Sequence, residues 1–66
     1  MKNCTVIALV KRAMESERLA VAEYNHLLKV LHNAGLPTSE AQHILKEEKD
    51  HLNKDLPALL KKIPTE

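Results

Sequence analysis

Apolar residues recur every three or four positions along two stretches of this chain, and one short turn sequence divides them. Val6, Val10, Ala13, Ala20, Tyr24, Leu27 and Leu31 form the first stripe, and Ala41, Ile44, Leu45, Leu52, Leu56, Leu59 and Ile63 form the second. That spacing places each set on one side of a helix, and no segment alternates with the period of two that a half-buried strand needs. Between the stripes lies Ala34-Gly35-Leu36-Pro37-Thr38-Ser39. Gly35 suits the left-handed position that closes a helix. Ser39 with Gln42 fits a capping box for the next helix, with Thr38 as the alternative cap and Pro37 as an alternative opening residue. The expectation is an all-α antiparallel hairpin, with helix one from about residue 5 to 33 and helix two from about 39 to 55. Pro57 should end or kink helix two, leaving a short helical tail over about residues 57–63 that Pro64 stops.

With 66 residues the chain is a single unit, 1–66, with no room for a second domain. A chain this short buries only about 60% of its unfolded surface, and small scaffolds add disulfides, a metal or further subunits to compensate. Cys4 is the only cysteine. It permits no disulfide within the chain and no four-cysteine metal cluster. Metal, partner chains or both remain. The formal charge is +1 with acids and bases interspersed, and Tyr24 is the only aromatic residue, so neither a basic footprint nor a stacking platform for nucleic acid is present. The longest apolar run near the N-terminus, Val6 to Val10, is too short for a signal-peptide core or a membrane span, and Lys11 and Arg12 follow it. The expectation is a cytoplasmic chain with no membrane partner.

Both stripes carry charge. Glu17 fills the gap between Ala13 and Ala20, near the middle of the first stripe. Glu48 sits inside the second, with His51 on its flank one turn later. A carboxylate in an apolar seam costs several kcal/mol unless something pairs with it. Arg18 points away from the seam, and Lys46 and Lys49 lie on the outer side. A metal ion would offset the cost, and carboxylate with imidazole suits iron or manganese. Glu48-Lys49-Asp50-His51 is Glu-x-x-His, which places an oxygen and a nitrogen on adjacent turns of one face. Dinuclear carboxylate sites in four-helix bundles take one Glu from each of two helices and Glu-x-x-His from each of the other two. This chain has one of each. Two copies would supply four Glu and two His for two metals, and two divalent ions would neutralise the four carboxylates. The plainer alternative is a coiled-coil seam in which the Glu residues fix register or pair with a partner's lysines. The arms of the hairpin are uneven. Glu17 lies about 17 residues before the turn and Glu48 about ten after it, a mismatch near 10 Å for ideal helices. Either the loop runs back along helix one or two chains pair in a stagger.

The residues from Glu17 to Tyr24 resemble the Glu-x6-Tyr signature of the first helix in ferritins and rubrerythrins, and Glu47-Glu48-Lys49-Asp50-His51 resembles their second-helix Glu-Glu-x-x-His. The resemblance covers roughly Met14 to Leu52, over half the chain. Ordinary members of the superfamily carry two hairpins in one polypeptide. This chain has one, and so looks most like the encapsulated-ferritin type, whose two-helix subunits dimerise into the four-helix bundle. The resemblance implies a di-iron ferroxidase centre at the subunit interface, serving iron storage or detoxification, with Glu17, Glu48 and His51 as metal ligands and catalytic residues. It also implies Tyr24 as a support whose hydroxyl reaches a ligand carboxylate, the alternative being a plain core aromatic. Two irons per dimer interface are expected, with manganese or another divalent metal as the alternative, in a homodimer or higher homo-oligomer. A shell protein is a partner of the encapsulated type, but Ile63-Pro64-Thr65-Glu66 shows no targeting tail of that kind. Two other functions fit the same residues: a non-enzymatic helical oligomer or adaptor, and a rubrerythrin-like peroxidase drawing on a separate electron donor.

The remaining polar candidates read more simply. Glu23 and His26 form a second Glu-x-x-His, but both lie off the stripe, on a solvated face. Glu15 and Glu47 face outward, as solvated acids or as an access route for cations. His43 is expected to be exposed. His32 borders the seam near the end of helix one, where a cation interacts well with the helix dipole. Cys4 has no neighbouring base and no assigned role.

Overall fold

The computed structural model of the chain describes residues 2–65. It is an all-α hairpin, a rod of 52 × 15 × 13 Å. Helix α1 runs Asn3–Asn33, α2 runs Ser39–Asp50, a π-helical turn follows at His51–Asp55, and α3 runs Leu56–Lys61. The two arms are tied at their open end by Asn3, whose Nδ2 donates to the Pro64 carbonyl at 2.9 Å.

The turn is built by Gly35, which adopts φ +71°. Its N–H donates to the His32 carbonyl at 3.1 Å, and the Leu36 N–H donates to the Leu31 carbonyl at 2.9 Å. This is the paired closure of a Schellman motif, and it satisfies carbonyls that the end of α1 would otherwise leave open. The next helix opens differently from the capping-box expectation. Thr38 is the N-cap, and the Gln42 amide reaches back to its hydroxyl at 3.1 Å. Ser39 is the first helical residue and donates to the Glu40 carboxylate at 3.0 Å. The Glu40 carboxyl is held below its usual range by its own backbone amide and by that hydroxyl.

The helices meet along a seam that alternates steps of three and four. On α1 the inward positions are Ile7, Val10, Met14, Glu17, Val21, Tyr24, Leu28 and Leu31, all at least half-buried. On the second arm they are the N-cap Thr38, then Ala41, Leu45 and Glu48 of α2, and Leu52 of the π turn. The expected first stripe is corrected at two positions: Ala13 and Leu27 are exposed, while Met14 and Leu28 turn inward. Ile44 and Leu59 are likewise exposed, at 36% and 46%. The apolar band is wider than one neighbouring helix can cover, so its lateral column is left outside. Among the described residues only Val10, Ala41 and Leu45 are exposed to less than a tenth of their surface.

Pro57 does not break the second arm. Proline lacks an N–H and its ring clashes with the carbonyl four residues back, which an α-helix cannot accommodate without distortion. The π turn supplies the distortion just upstream, with the Leu56 N–H donating to the His51 carbonyl five residues back. The inserted residue also resets the seam. After Leu52 an unbroken step of three and four would turn Asp55, Leu59 and Lys62 inward; with the insertion Leu56, Leu60 and Ile63 take those places. The tail, α3, follows the π turn directly, with no non-helical residue between them.

Two predictions follow from these joints. Gly35→Ala should lower unfolding free energy by about 1–2 kcal/mol, read from urea denaturation; no atom lies within 4 Å of the added methyl, so the cost is the left-handed backbone alone. Leu60→Ala should lower the melting temperature clearly, whereas Leu59→Ala should change stability by no more than about 0.5 kcal/mol. Equal effects would mean that the π turn does not set the register.

Candidate metal centre

The seam brings Glu17, Glu48 and His51 together within one chain. One ligating atom from each lies within 4.8 Å of the others, and this is the one group of three metal-type side chains among the described residues. The axial mismatch is resolved by the turn. Thr38 and Gln42 share a cleft with Leu28, Lys29, His32 and Asn33, so residues 34–38 run back along the last turn of α1 before α2 begins. Glu48 and His51 then stand level with Glu17, and no stagger between chains is needed to unite the three.

Each of the three side chains has a local reason for its position. Glu17 occupies an inward position of α1, between Met14 and Val21. Glu48 takes the corresponding place on α2, one turn beyond Leu45. His51 follows at the junction of α2 and the π turn, on the flank of the seam, with its side chain 47% exposed against 25% for Glu17. Its Nδ1 lies 3.8 Å from Glu17 Oε1, an ion-pair distance when the imidazole is protonated but too long for a hydrogen bond.

The electrostatics of the trio are unbalanced. Glu17 Oε2 is buried with no hydrogen-bond partner among the described residues. Glu48 makes neither a hydrogen bond nor an ion pair among them. Arg18, next to Glu17 in sequence, holds Glu15 at 2.8 Å, and Lys54 lies 3.6 Å from Asp50. A buried acceptor without a partner costs about 1–3 kcal/mol, more when charged. Two atoms bound to one ion at about 2.1 Å lie at most about 4.2 Å apart. The Glu17–His51 pair is inside that limit at 3.8 Å, and the atoms of the trio all lie within 4.8 Å of one another. Two carboxylates and one imidazole, one oxygen of which has nothing else to bind, therefore form a group that could hold a divalent ion.

The other sequence candidates stand apart. Tyr24 is half-buried on the same column as Glu17, seven residues further along, and its hydroxyl bonds neither Glu17 nor Glu48 in the chain. Glu23, His26, His32 and Cys4 are exposed. Glu15 and Glu47 are exposed and paired on their own helices, with Arg18 and His43 respectively. Among the described residues no helix is long and apolar enough to cross a membrane.

The unpaired oxygen makes a prediction about the metal-free chain. Glu17→Leu should raise its melting temperature, by the equivalent of about 1 kcal/mol or more, because it removes a desolvated acceptor and adds apolar surface to the seam. A lower melting temperature in the stripped variant would show that Glu17 has a partner the seam already provides.

Comparison with family models, with characterised proteins and with solved structures finds no match to this chain. What stands on the structure alone is a two-helix hairpin with a Glu, Glu, His group that could hold a metal.

Proposed function

We propose that this chain is a ferritin-like iron protein whose Glu17, Glu48 and His51 bind ferrous iron and support its oxidation. The observation that carries the reading is the orphaned carboxylate oxygen of Glu17, set beside Glu48 and His51 in the seam between the helices. Support also comes from the Glu-x6-Tyr and Glu-x-x-His patterns of the sequence, which run in the order found in ferritins and rubrerythrins. In this reading two copies together hold two irons at their interface, in a ferroxidase centre serving storage or detoxification.

Each bound ferrous ion supplies one electron to dioxygen or peroxide. The residues provide the rest. Glu17 and Glu48 contribute anionic oxygens that favour the higher charge of the ferric product. His51 contributes a neutral nitrogen and, being half-exposed, stands at the edge through which ions reach the group. The flanking Met14, Val21, Leu45 and Leu52 limit water around the carboxylates and strengthen their attraction for a cation. Tyr24 supports a ligand carboxylate of the assembled centre through its hydroxyl. Oxygen and nitrogen donors would also accept manganese.

The test is an anaerobic titration of metal-free protein with ferrous iron, followed by oxygen. Near-ultraviolet absorption of ferric product should grow with iron to about one ion per chain, the stoichiometry of the two-copy site. Glu48→Ala should reduce the rate by an order of magnitude or more, since it removes one of only three ligands per chain. Protein that retains no iron in elemental analysis and gives no absorption would leave a non-enzymatic helical oligomer as the function of the hairpin.

A further inference from the structure

Acids and bases alternate along the sequence, and the whole chain carries a formal charge of only +1. Folding sorts them. On α1 the positions just after the inward ones are Lys11, Arg18, Asn25 and His32, all exposed. Gln42 and Lys49 take the equivalent places on α2. In an antiparallel pair these columns fall on one side of the hairpin. His32 and Gln42 line the same cleft, as that geometry requires. The next column outward adds Lys29, Lys46 and the acid Glu15. Five cations of α1 and α2 therefore share this side with one acid, which Arg18 holds at 2.8 Å. The other acids of the two helices lie in the seam, as Glu17 and Glu48 do, or on the outer and opposite faces. Lys11, Lys29, Lys46 and Lys49 make no ion pair among the described residues.

This side has a register and an anchor point. Lys11, Arg18, Asn25 and His32 are seven residues apart, about 10.5 Å along the axis, so the column spans about 31 Å. A helix with one carboxylate every seventh residue repeats at the same interval. At the turn end the groove between the arms opens into a cleft of about 460 Å³ lined by Leu28, Lys29, His32, Asn33, Thr38 and Gln42. Leu28 is half-buried, which gives the cleft an apolar surface inside a polar rim. Other polyanions match less well. A nucleic-acid duplex carries a charge every ~1.7 Å, about 18 over the column, against five cations. No aromatic ring lies on this side to stack a base, because Tyr24 is half-buried in the seam. The exposed large apolar side chains, Leu19, Leu27 and Ile44 among them, lie off these columns, so a lipid surface finds none to insert.

We infer that the Lys11–Arg18–Asn25–His32 side of the hairpin docks an acidic helix of a partner protein, one with Asp or Glu at seven-residue spacing and an apolar side chain that seats in the cleft beside Leu28. His51 lies on the other flank of the seam, so docking here leaves the Glu17, Glu48, His51 group uncovered, and the inference stands apart from the metal-binding reading. Charge attraction acts over several ångströms and orients the approaching helix. Carboxylates accept from the lysines and from the Asn25 amide alike. The cleft fixes the position along the rod, because a helix slid by one heptad would meet a similar row of donors but leave its apolar side chain outside. The result is an amphipathic helix laid in the groove between two others.

Fluorescence anisotropy with a labelled synthetic helix tests this, in the presence of chelator. The probe is four alanine-rich heptads, each with one Glu on the same face, and a single Leu in the last heptad. Wild type should bind it, less tightly as salt rises. The double variant Lys11→Glu, Lys49→Glu, exposed at both positions, should keep its helical circular dichroism and bind roughly tenfold or more weakly. Arg12→Glu with Lys54→Glu makes the same change in net charge on outer faces, and should shift binding by less than about twofold. Replacing the probe's Leu by Ala should weaken binding about threefold or more. No binding at low salt, or equal binding of a probe with Gln in place of Glu, overturns the inference. Equal losses from the two double variants overturn the face, and indifference to the probe's Leu overturns the cleft as its anchor. Tighter binding of a DNA oligonucleotide, or of phosphatidylglycerol vesicles, overturns the acidic helix as occupant. So does self-association of the chain alone that Lys11→Glu, Lys49→Glu abolishes, which would give this side to a second copy.

Discussion

The seam between the two helical arms holds the best-covered residues of the hairpin, and two carboxylates sit inside it. A larger domain can distribute a buried charge among many polar neighbours. Here the interior is one column of side chains from each helix, with Val10, Ala41 and Leu45 as its best-covered members. Glu17 and Glu48 interrupt that column at the same level, and His51, 3.8 Å from Glu17, is the basic group the structure sets beside them. The stability of the hairpin and the affinity of its candidate site are therefore two aspects of one arrangement: whatever neutralises Glu17 also completes the core.

Two backbone features make that arrangement reachable. The Gly35 closure sends residues 34–38 back along the last turn of α1, which shortens the effective arm of α1 and brings Glu48 level with Glu17. The π turn at His51–Asp55 lets the second arm continue past Pro57 while keeping leucine and isoleucine, rather than aspartate and lysine, against α1. One device sets the level of the candidate site and the other preserves the packing beyond it.

Much of this was legible in the chain. The helical period, the turn at Gly35 and the placement of Glu17 and Glu48 inside apolar stripes can all be read from spacing, because side-chain direction along a helix is set by about 100° per residue. The pairing of Glu48 with His51 is legible for the same reason. Less legible was which column of a broad apolar band faces the partner helix. Val6, Ala13, Ala20 and Leu27 are as apolar as the inward column beside them, so composition alone does not separate them. The π turn was hidden because Leu56, Leu59, Leu60 and Ile63 satisfy two registers, and only packing against α1 chooses between them.

The sequence by itself determined two helices, one reversal and three metal-type side chains near the faces that meet. Those follow from local preferences and periodicity, which act within a few residues. Only the tertiary structure decided that the three metal-type side chains converge in a single chain, that one Glu17 oxygen has no hydrogen-bond partner among the described residues, and that Leu27 and Ile44 stay exposed. Those depend on the path of five loop residues and on one inserted helical residue, and small shifts at such joints move every side chain beyond them. Burial and partnership are properties of the packed pair, and neither exists until the two arms are laid against each other.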